Sequence, residues 1–369
     1  MADQRDGGIA WTDATWNPVR GCSRVSEGCR NCYAERVAVR FSGPGQPYEG
    51  LAYGGPRHPE TGRVQTGRRG HWTGKVRLVP EHLADPLRWK RPRRVFVNSM
   101  SDLFHERLTN EEIAYVFGVM AAAKQHTFQV LTKRPERMVE WFRWVEASKT
   151  DEYASVFIQR LAHNRIEYGS RWPLHSVKGT YLCHPWPLPN VWLGVSVEDQ
   201  YTAETRVPDL LEVSAVVHFV SYEPALGHVL LSDLRDTGGG PAWIDALNGV
   251  TACPGWGDGI GDHPQKTDKK LSWVIVGGES GAGARPFRVE WARSVVEQCK
   301  AAGVACFVKQ LGAYPIESPD YFCEWTNHGV SIVQHGAERG RIIANNSKAG
   351  DPAEWPADLR VRQFPEVSR

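Results

Sequence analysis

Short apolar runs rich in β-branched residues recur along the chain, each ending in polar or Gly-rich residues and followed by a helical stripe. Arg94–Val97 runs into Asn98-Ser99-Met100-Ser101-Asp102. Thr109 and Glu112 then have the spacing of a capping box, and Ile113, Val116, Phe117 and Met120 mark one face of a helix. Phe128–Leu131 leads to Thr132-Lys133-Arg134, after which Pro135 suits a first helical turn and Met138, Trp141, Phe142 and Val145 repeat the stripe. Val191–Val195 leads to Ser196-Val197-Glu198-Asp199 and a helix to about Val213, and Val216–Val220 leads to Ser221-Tyr222-Glu223-Pro224. Trp273–Val276 leads to Gly277-Gly278-Glu279-Ser280-Gly281 and a helix around Trp291–Ala302 that Gly303 closes. Val304–Val308 ends at Lys309-Gln310.

Strand, polar turn and helix in repetition predict an α/β fold with a parallel sheet, as a partial or full barrel or a doubly wound sheet. In such folds the loops after the strands' C-terminal ends form the active face, which is where these polar residues fall. Residues 41–75, 146–189 and 228–270 read as insertions rich in Gly, Pro, Trp and charge. With no repeat and no clean linker, one domain over 1–312 is expected, followed by a less regular C-terminal extension over 313–369.

The balance of 41% hydrophobic and 23% charged residues allows a buried core. No run is apolar enough for a bilayer, and the polar start of the chain does not have the pattern of a signal peptide. A cytoplasmic protein that does not bind membranes is therefore expected. In a reducing compartment the eight cysteines are not a disulfide framework.

Three of those cysteines crowd into eleven residues as Cys22-x6-Cys29-x2-Cys32, while the other five are scattered. Soft thiolates in one short loop suit zinc or an iron–sulfur cluster. Structural zinc normally takes four protein ligands, and His58, His71, Cys183 and His184 are only distant candidates for a fourth. A 4Fe–4S cluster on three cysteines leaves one iron open to chelate a cosubstrate. Trp16–Val19 is expected as the first strand and Ala34–Phe41 as the first helix, which puts the thiols in the loop after the first strand. Trp11, Asp13, Trp16 and Asn17 precede that loop, either shielding the site from solvent or filling the core.

Residues 61–94 hold ten Arg or Lys residues against Glu81 and Asp85, beside Trp72 and Trp89. That composition fits nucleic acid or phosphate, or equally a solvated basic face. The glycine-rich turn 277–281 lacks the Walker pattern Gly-x4-Gly-Lys-Ser/Thr, which argues against an NTPase.

Three cysteines after the first strand of a (β/α) fold resemble the radical S-adenosylmethionine (SAM) superfamily. More closely, WTDATWNPVRGCSRVSEGCRNCYAE, FVNSMSDLFH, FQVLTKRPERM, PLPNVWLGVSVEDQ, FVSYEPALG, WVIVGGESGAGARP and FVKQLG, spread over about residues 10–312, resemble an uncharacterised phage-associated family with a three-Cys motif. The superfamily's usual spacing is Cys-x3-Cys-x2-Cys with an aromatic before the third cysteine; here the first gap is x6 and Tyr33 follows Cys32.

The resemblance implies a barrel of radical SAM type, a 4Fe–4S cluster on Cys22, Cys29 and Cys32, and SAM bound at its open iron. It implies reductive cleavage of SAM to a 5′-deoxyadenosyl radical, with electrons from an external donor. Carried onto this chain, Asn98, Ser99, Ser101 and Asp102 would hold the amino group of SAM. Lys133 or Arg134 would pair with its carboxylate, and Ser196 and Glu198 would bind carboxylate and ribose hydroxyls. Glu223, Glu279 and Lys309 at later strand ends would contact substrate or move protons. Nucleic-acid repair or base modification is the expected activity. A protein or small-molecule substrate is the alternative within the same enzyme class, with room for a partner protein that presents it. A nucleic-acid-binding protein with a structural Zn or Fe–S site is the alternative outside it.

Overall fold

The computed structural model describes residues 9–54, 70–149, 152–166, 174–175, 180–181, 183–235, 243–252, 264–281, 283–317, 321–326, 329–334 and 348–366. The chain divides into two compact units, Met1–Gly194 with Val213–Val216, and Val195–Glu212 with Val217–Arg369. The division falls inside the stretch expected as a single domain.

The first unit carries strands β1 (Ala14–Trp16), β2 (Arg94–Val97) and β3 (Thr127–Thr132), with helices α1 (Tyr33–Arg40), α2 (Asn110–Ala122), α3 (Pro135–Ser148) and α4 (Ala154–Arg165). β1 pairs with β2 and β2 with β3, both parallel, placing Trp16 opposite Val97 and Val97 opposite Val130. The capping box forms as its spacing predicts. The Glu112 N–H donates to Thr109 Oγ1 at 3.2 Å, and the Thr109 N–H donates to Glu112 Oε2 at 2.9 Å. Ile113, Val116, Phe117 and Met120 are all buried along α2. α4 lies within the expected insertion 146–189 and packs on α2 at Gly118, where a Cβ would stand 2.3 Å from the Ile158 carbonyl oxygen. That helix follows from the apolar positions Ala154, Phe157, Ile158, Leu161 and Ala162, a period-3.6 stripe that the charge around it obscures.

β4 (Val191–Val197) begins in the first unit and ends in the second. The second unit continues with α5 (Gln200–Glu212), β5 (His218–Tyr222), β6 (Trp273–Gly277), α6 (Val289–Ala302) and β7 (Ala305–Gln310). β5, β6 and β7 are parallel neighbours, and Gly303 ends α6 in the left-handed conformation at φ 66. The seven strands hydrogen-bond in chain order with β1 and β7 at the two ends. A doubly wound sheet would reverse that order part-way. Sequential order is the winding of a (β/α) barrel.

The first strand is shorter than expected. β1 stops at Trp16, and Val19–Arg20 pairs antiparallel with Arg77–Leu78 instead. The insertion 41–75 contributes a hairpin of Ala52–Tyr53 with His71–Trp72, and 228–270 contributes four short antiparallel strands. Part of the extension is integral to the sheet's end. The Val308 N–H donates to the Val361 carbonyl and the Gln363 N–H to the Cys306 carbonyl, both at 2.8 Å, so 361–363 covers the edge of β7. No helix among the described residues is long and apolar enough to cross a membrane.

Candidate functional site

The cysteines lie in the loop between Arg20 and α1, and the ends of β2 and β3 fix where that loop begins. Asn98 ends β2 with φ 59, a left-handed conformation that Asn tolerates better than most residues. Its N–H donates to the Trp16 carbonyl at 2.8 Å, and its Oδ1 accepts the Val19 N–H at 3.3 Å. Asn17 Oδ1 accepts the Ser99 hydroxyl at 3.1 Å and the Met100 N–H at 3.0 Å. The Ser101 hydroxyl donates to the Val19 carbonyl at 2.9 Å, and Gly21 bridges to Ser101. Gly21 has φ 93 and sits so close to Lys75 that a Cβ would stand 2.1 Å from its carbonyl oxygen. Only glycine fits immediately before Cys22.

Buried Asp102 and Arg134 extend the brace into the loop itself. Asp102 Oδ1 accepts the Thr132 hydroxyl at 2.8 Å and the Phe104 N–H at 3.0 Å. Its Oδ2 accepts the Lys133 N–H and Arg134 Nη1, each at 3.1 Å. Arg134 Nε donates to Glu106 Oε2 at 3.0 Å, and its Nη2 donates to the Ser23 carbonyl at 3.1 Å and the Ser23 hydroxyl oxygen at 2.7 Å. His105 Nδ1 accepts the Arg107 N–H at 3.2 Å, so the ring proton belongs on Nε2, which lies 2.9 Å from Ser23 Oγ. On the far side of the loop, Arg24 grips the buried Glu35 of α1 through two bonds of 2.9 and 2.5 Å. The same carboxylate accepts the Trp72 N–H at 3.1 Å. The Tyr33 hydroxyl donates to the Ser99 carbonyl at 2.7 Å.

The electrostatics follow from this packing. Burial pushes the Cys22 thiol up to about 12; Asp102, Cys32 and Cys29 add to the rise, and Arg134 opposes it. Burial also raises Cys32, against backbone N–H groups of Glu35 and Ala34 that favour its thiolate. His105 is lowered by burial first and by Arg134 second, so it is held neutral. For Arg134, burial works against the charge, but Asp102, Cys22 and Glu106 outweigh it and hold the guanidinium above its ordinary pKa.

In the second unit the strand-end carboxylates split into separate pairs. Lys309 Nζ meets Glu223 Oε1 at 2.6 Å. Glu279 is engaged elsewhere, with Arg285 Nη2 at 2.8 Å, Arg285 Nε at 3.2 Å and the Arg285 N–H at 2.9 Å. The Ser196 hydroxyl donates to the Glu223 carbonyl at 3.0 Å, while the buried Glu198 carboxylate is held by Arg206 Nη1, also at 3.0 Å. Of the three expected residues, Glu223 and Lys309 pair with each other, and Glu279 pairs with Arg285.

A family model matches residues 6–351, nearly the whole chain, under the description "Protein of unknown function (DUF5131)". The chain belongs to this family. No curated protein and no solved structure matches it.

Within this DUF5131 chain, no group of three or more His, Cys, Asp or Glu side chains among the described residues is gathered into a ready-made metal site. The three thiols still influence one another electrostatically, as the rise at Cys22 records. Three soft donors on one braced loop suit a thiophilic metal or cluster, although the loop is not preformed around one. Asn98 Nδ2, a buried donor at the end of β2, has no partner among the described residues. Of the proposed fourth ligands, His71 stacks beside Tyr53 and Cys183 is exposed, while His58 lies outside the described residues.

Asp13 pairs with Arg94 at the opposite end of β2 from the loop. Trp11 and Trp16 are buried core, with Trp16 Nε1 donating to the His82 carbonyl at 2.7 Å. Residues 61–69 of the basic segment lie outside the described residues; in the rest, Arg77 donates to the Pro47 carbonyl and Arg88 pairs with Asp85. Ser23, His105 and the Arg24–Glu35 pair were not foreseen. Only the position of Ser23, next to Cys22, offered a signal.

Proposed function

We propose that the protein is a radical SAM-type iron–sulfur enzyme whose cluster is held by Cys22, Cys29 and Cys32, and that its substrate is nucleic acid. The observation that carries this reading is three thiols in the loop between Arg20 and α1, after the first strand of a sequentially wound parallel sheet. A cluster and SAM bound there would supply reductive cleavage of the cosubstrate to a 5′-deoxyadenosyl radical, the chemistry that belongs to the cofactor rather than to the protein.

The side chains themselves orient and exclude water. Arg134, itself held by Asp102, and His105 fix Ser23, and Glu35 with Arg24 ties the loop to α1. Arg134 braces the cysteine loop through Ser23, and Asp102 holds Arg134 together with Thr132, Phe104 and Lys133. Arg206 likewise occupies Glu198. The thiols must lose their protons to bind metal, which the Arg134 charge beside Cys22 favours. Nucleic acid is supported by the basic segment with its tryptophans, where the Arg93 guanidinium lies 5.3 Å from the Trp89 ring centroid.

The test is anaerobic purification followed by iron, sulfide and zinc analysis, then reductant-dependent 5′-deoxyadenosine formation. Iron and sulfide bound in proportion, with SAM cleavage abolished by Cys29→Ala, is the expected outcome. One zinc per chain without iron would favour the structural-site reading and sink this one.

A further inference from the structure

The Lys309–Glu223 pair has a geometry that solubility does not require. The register between β6 and β7 steps at Gly277: Val276 faces Val308 and Gly277 faces Gln310, leaving Lys309 as an extra residue in a bulge. Bulges re-aim side chains and gather next to binding sites. This one carries the Lys309 ammonium to Glu223, and each side chain remains 19% exposed. Gly277 lies against the carboxyl group, where a Cβ would come within 3.2 Å of Glu223 Cδ. Withdrawing both charges largely from water is costly, and an apolar pair of the same volume is often as stable. A charge pair kept at strand ends, where parallel sheets bind their ligands, points to recognition.

The class of ligand follows from charge and valence. Among the described residues, Glu223 Oε2 and two of the three Lys309 ammonium hydrogens make no hydrogen bond. The pair is neutral as a whole. A phosphate would meet the Glu223 charge, and a cation would meet Lys309. What matches is an uncharged group that presents an acceptor beside a donor, as the hydrogen-bonding edge of a nucleobase does.

We infer that Lys309 and Glu223 read the acceptor–donor edge of a nucleobase, Lys309 donating to its ring nitrogen or carbonyl and Glu223 accepting from its N–H. The inference rests on the nucleic-acid part of the proposed function and not on the cluster.

The experiment uses the full chain as isolated under anaerobic conditions. Binding of a short single-stranded DNA is compared with binding of the same strand lacking its bases, in wild type, Lys309→Met, Glu223→Gln and the double variant. Wild type should prefer the base-bearing strand. Each single variant should remove roughly tenfold of that preference, the abasic strand should be unaffected, and the double variant should lose no more than either single one. Equal losses on both strands, a preference unchanged in both variants, or no preference in wild type would overturn the inference. Glu223→Gln keeps the side chain's shape, so its result stands even if Lys309→Met unfolds. SAM cleavage measured on the same samples separates the two readings: base preference without cleavage removes the radical chemistry and leaves this site standing.

Discussion

Arg134 binds Ser23 twice, through the carbonyl at 3.1 Å and the hydroxyl at 2.7 Å, while its other nitrogens hold Asp102 and Glu106. One guanidinium thereby ties the end of β3 to the cysteine loop. Removing it strands buried Asp102 as an uncompensated charge, a change that costs about 3–5 kcal/mol. Arg134→Ala should lower urea-unfolding stability by that order and reduce metal content after anaerobic purification. Arg134→Lys keeps the charge but has no planar fork to reach three partners, so it should recover only part of the stability. Full metal loading of a well-folded Arg134→Ala protein would show that the clamp does not govern the loop.

Gly21 supplies a sharper test of the same loop. Its φ of 93 and the 2.1 Å approach to the Lys75 carbonyl mean that alanine must move backbone, not a flexible side chain. Gly21→Ala should destabilise by more than about 1 kcal/mol and displace Cys22 from its brace. The readout is the rate of Cys22 alkylation in metal-free protein, which should rise as the thiol becomes less buried. Unchanged alkylation with unchanged stability would mean the turn relaxes freely.

The legible part of the fold was the part governed by periodicity. The stripes at Ile113–Met120 and Met138–Val145 and the closing Gly303 follow from spacing of three and four, and the polar strand ends were found at the predicted places. What the sequence concealed was pairing. Nothing in the spacing distinguishes Glu279, committed to Arg285 six residues on, from Glu223, committed to Lys309 across 86 residues. Arg134 resembled a ligand-binding cation because it ends a strand. The partners it binds in the structure, Asp102 and Ser23, lie 32 and 111 residues away. Helix α4 is the opposite case: its stripe is local, but it lies within a stretch whose Gly, Pro, Trp and charge mark only an insertion.

Gly118 sets two effects of known size against each other. In a helix interior, glycine to alanine gains about 1 kcal/mol of propensity. Here the new methyl would stand 2.3 Å from the Ile158 carbonyl oxygen and 2.6 Å from the Ala162 Cβ, forcing α2 and α4 apart. Overpacking costs about 1–3 kcal/mol, and because the nearest atom is backbone the upper half of that range applies. Gly118→Ala should therefore destabilise on balance, read as a lower thermal midpoint with helical content retained. A higher midpoint would mean that the helix pair is free to separate.

His105 gives the pH dependence. Burial first, and the Arg134 charge second, lower its pKa from the ordinary 6.5, so the folded state holds it neutral. A depressed folded value stabilises the protein above the unfolded pKa, and that contribution is lost as pH falls from about 6.5 through the folded value. His126 and His228 are also lowered, chiefly by burial, so the whole chain should weaken on mild acidification. His105→Gln removes one of these titrations. Its unfolding free energy should be lower than that of wild type at pH 7, because the bond to Ser23 is disturbed, yet fall less steeply between pH 6.5 and 5. The check is denaturant unfolding of both proteins across that window. A variant whose slope matches wild type would show that His105 takes up its proton as readily in the folded chain as in the unfolded one.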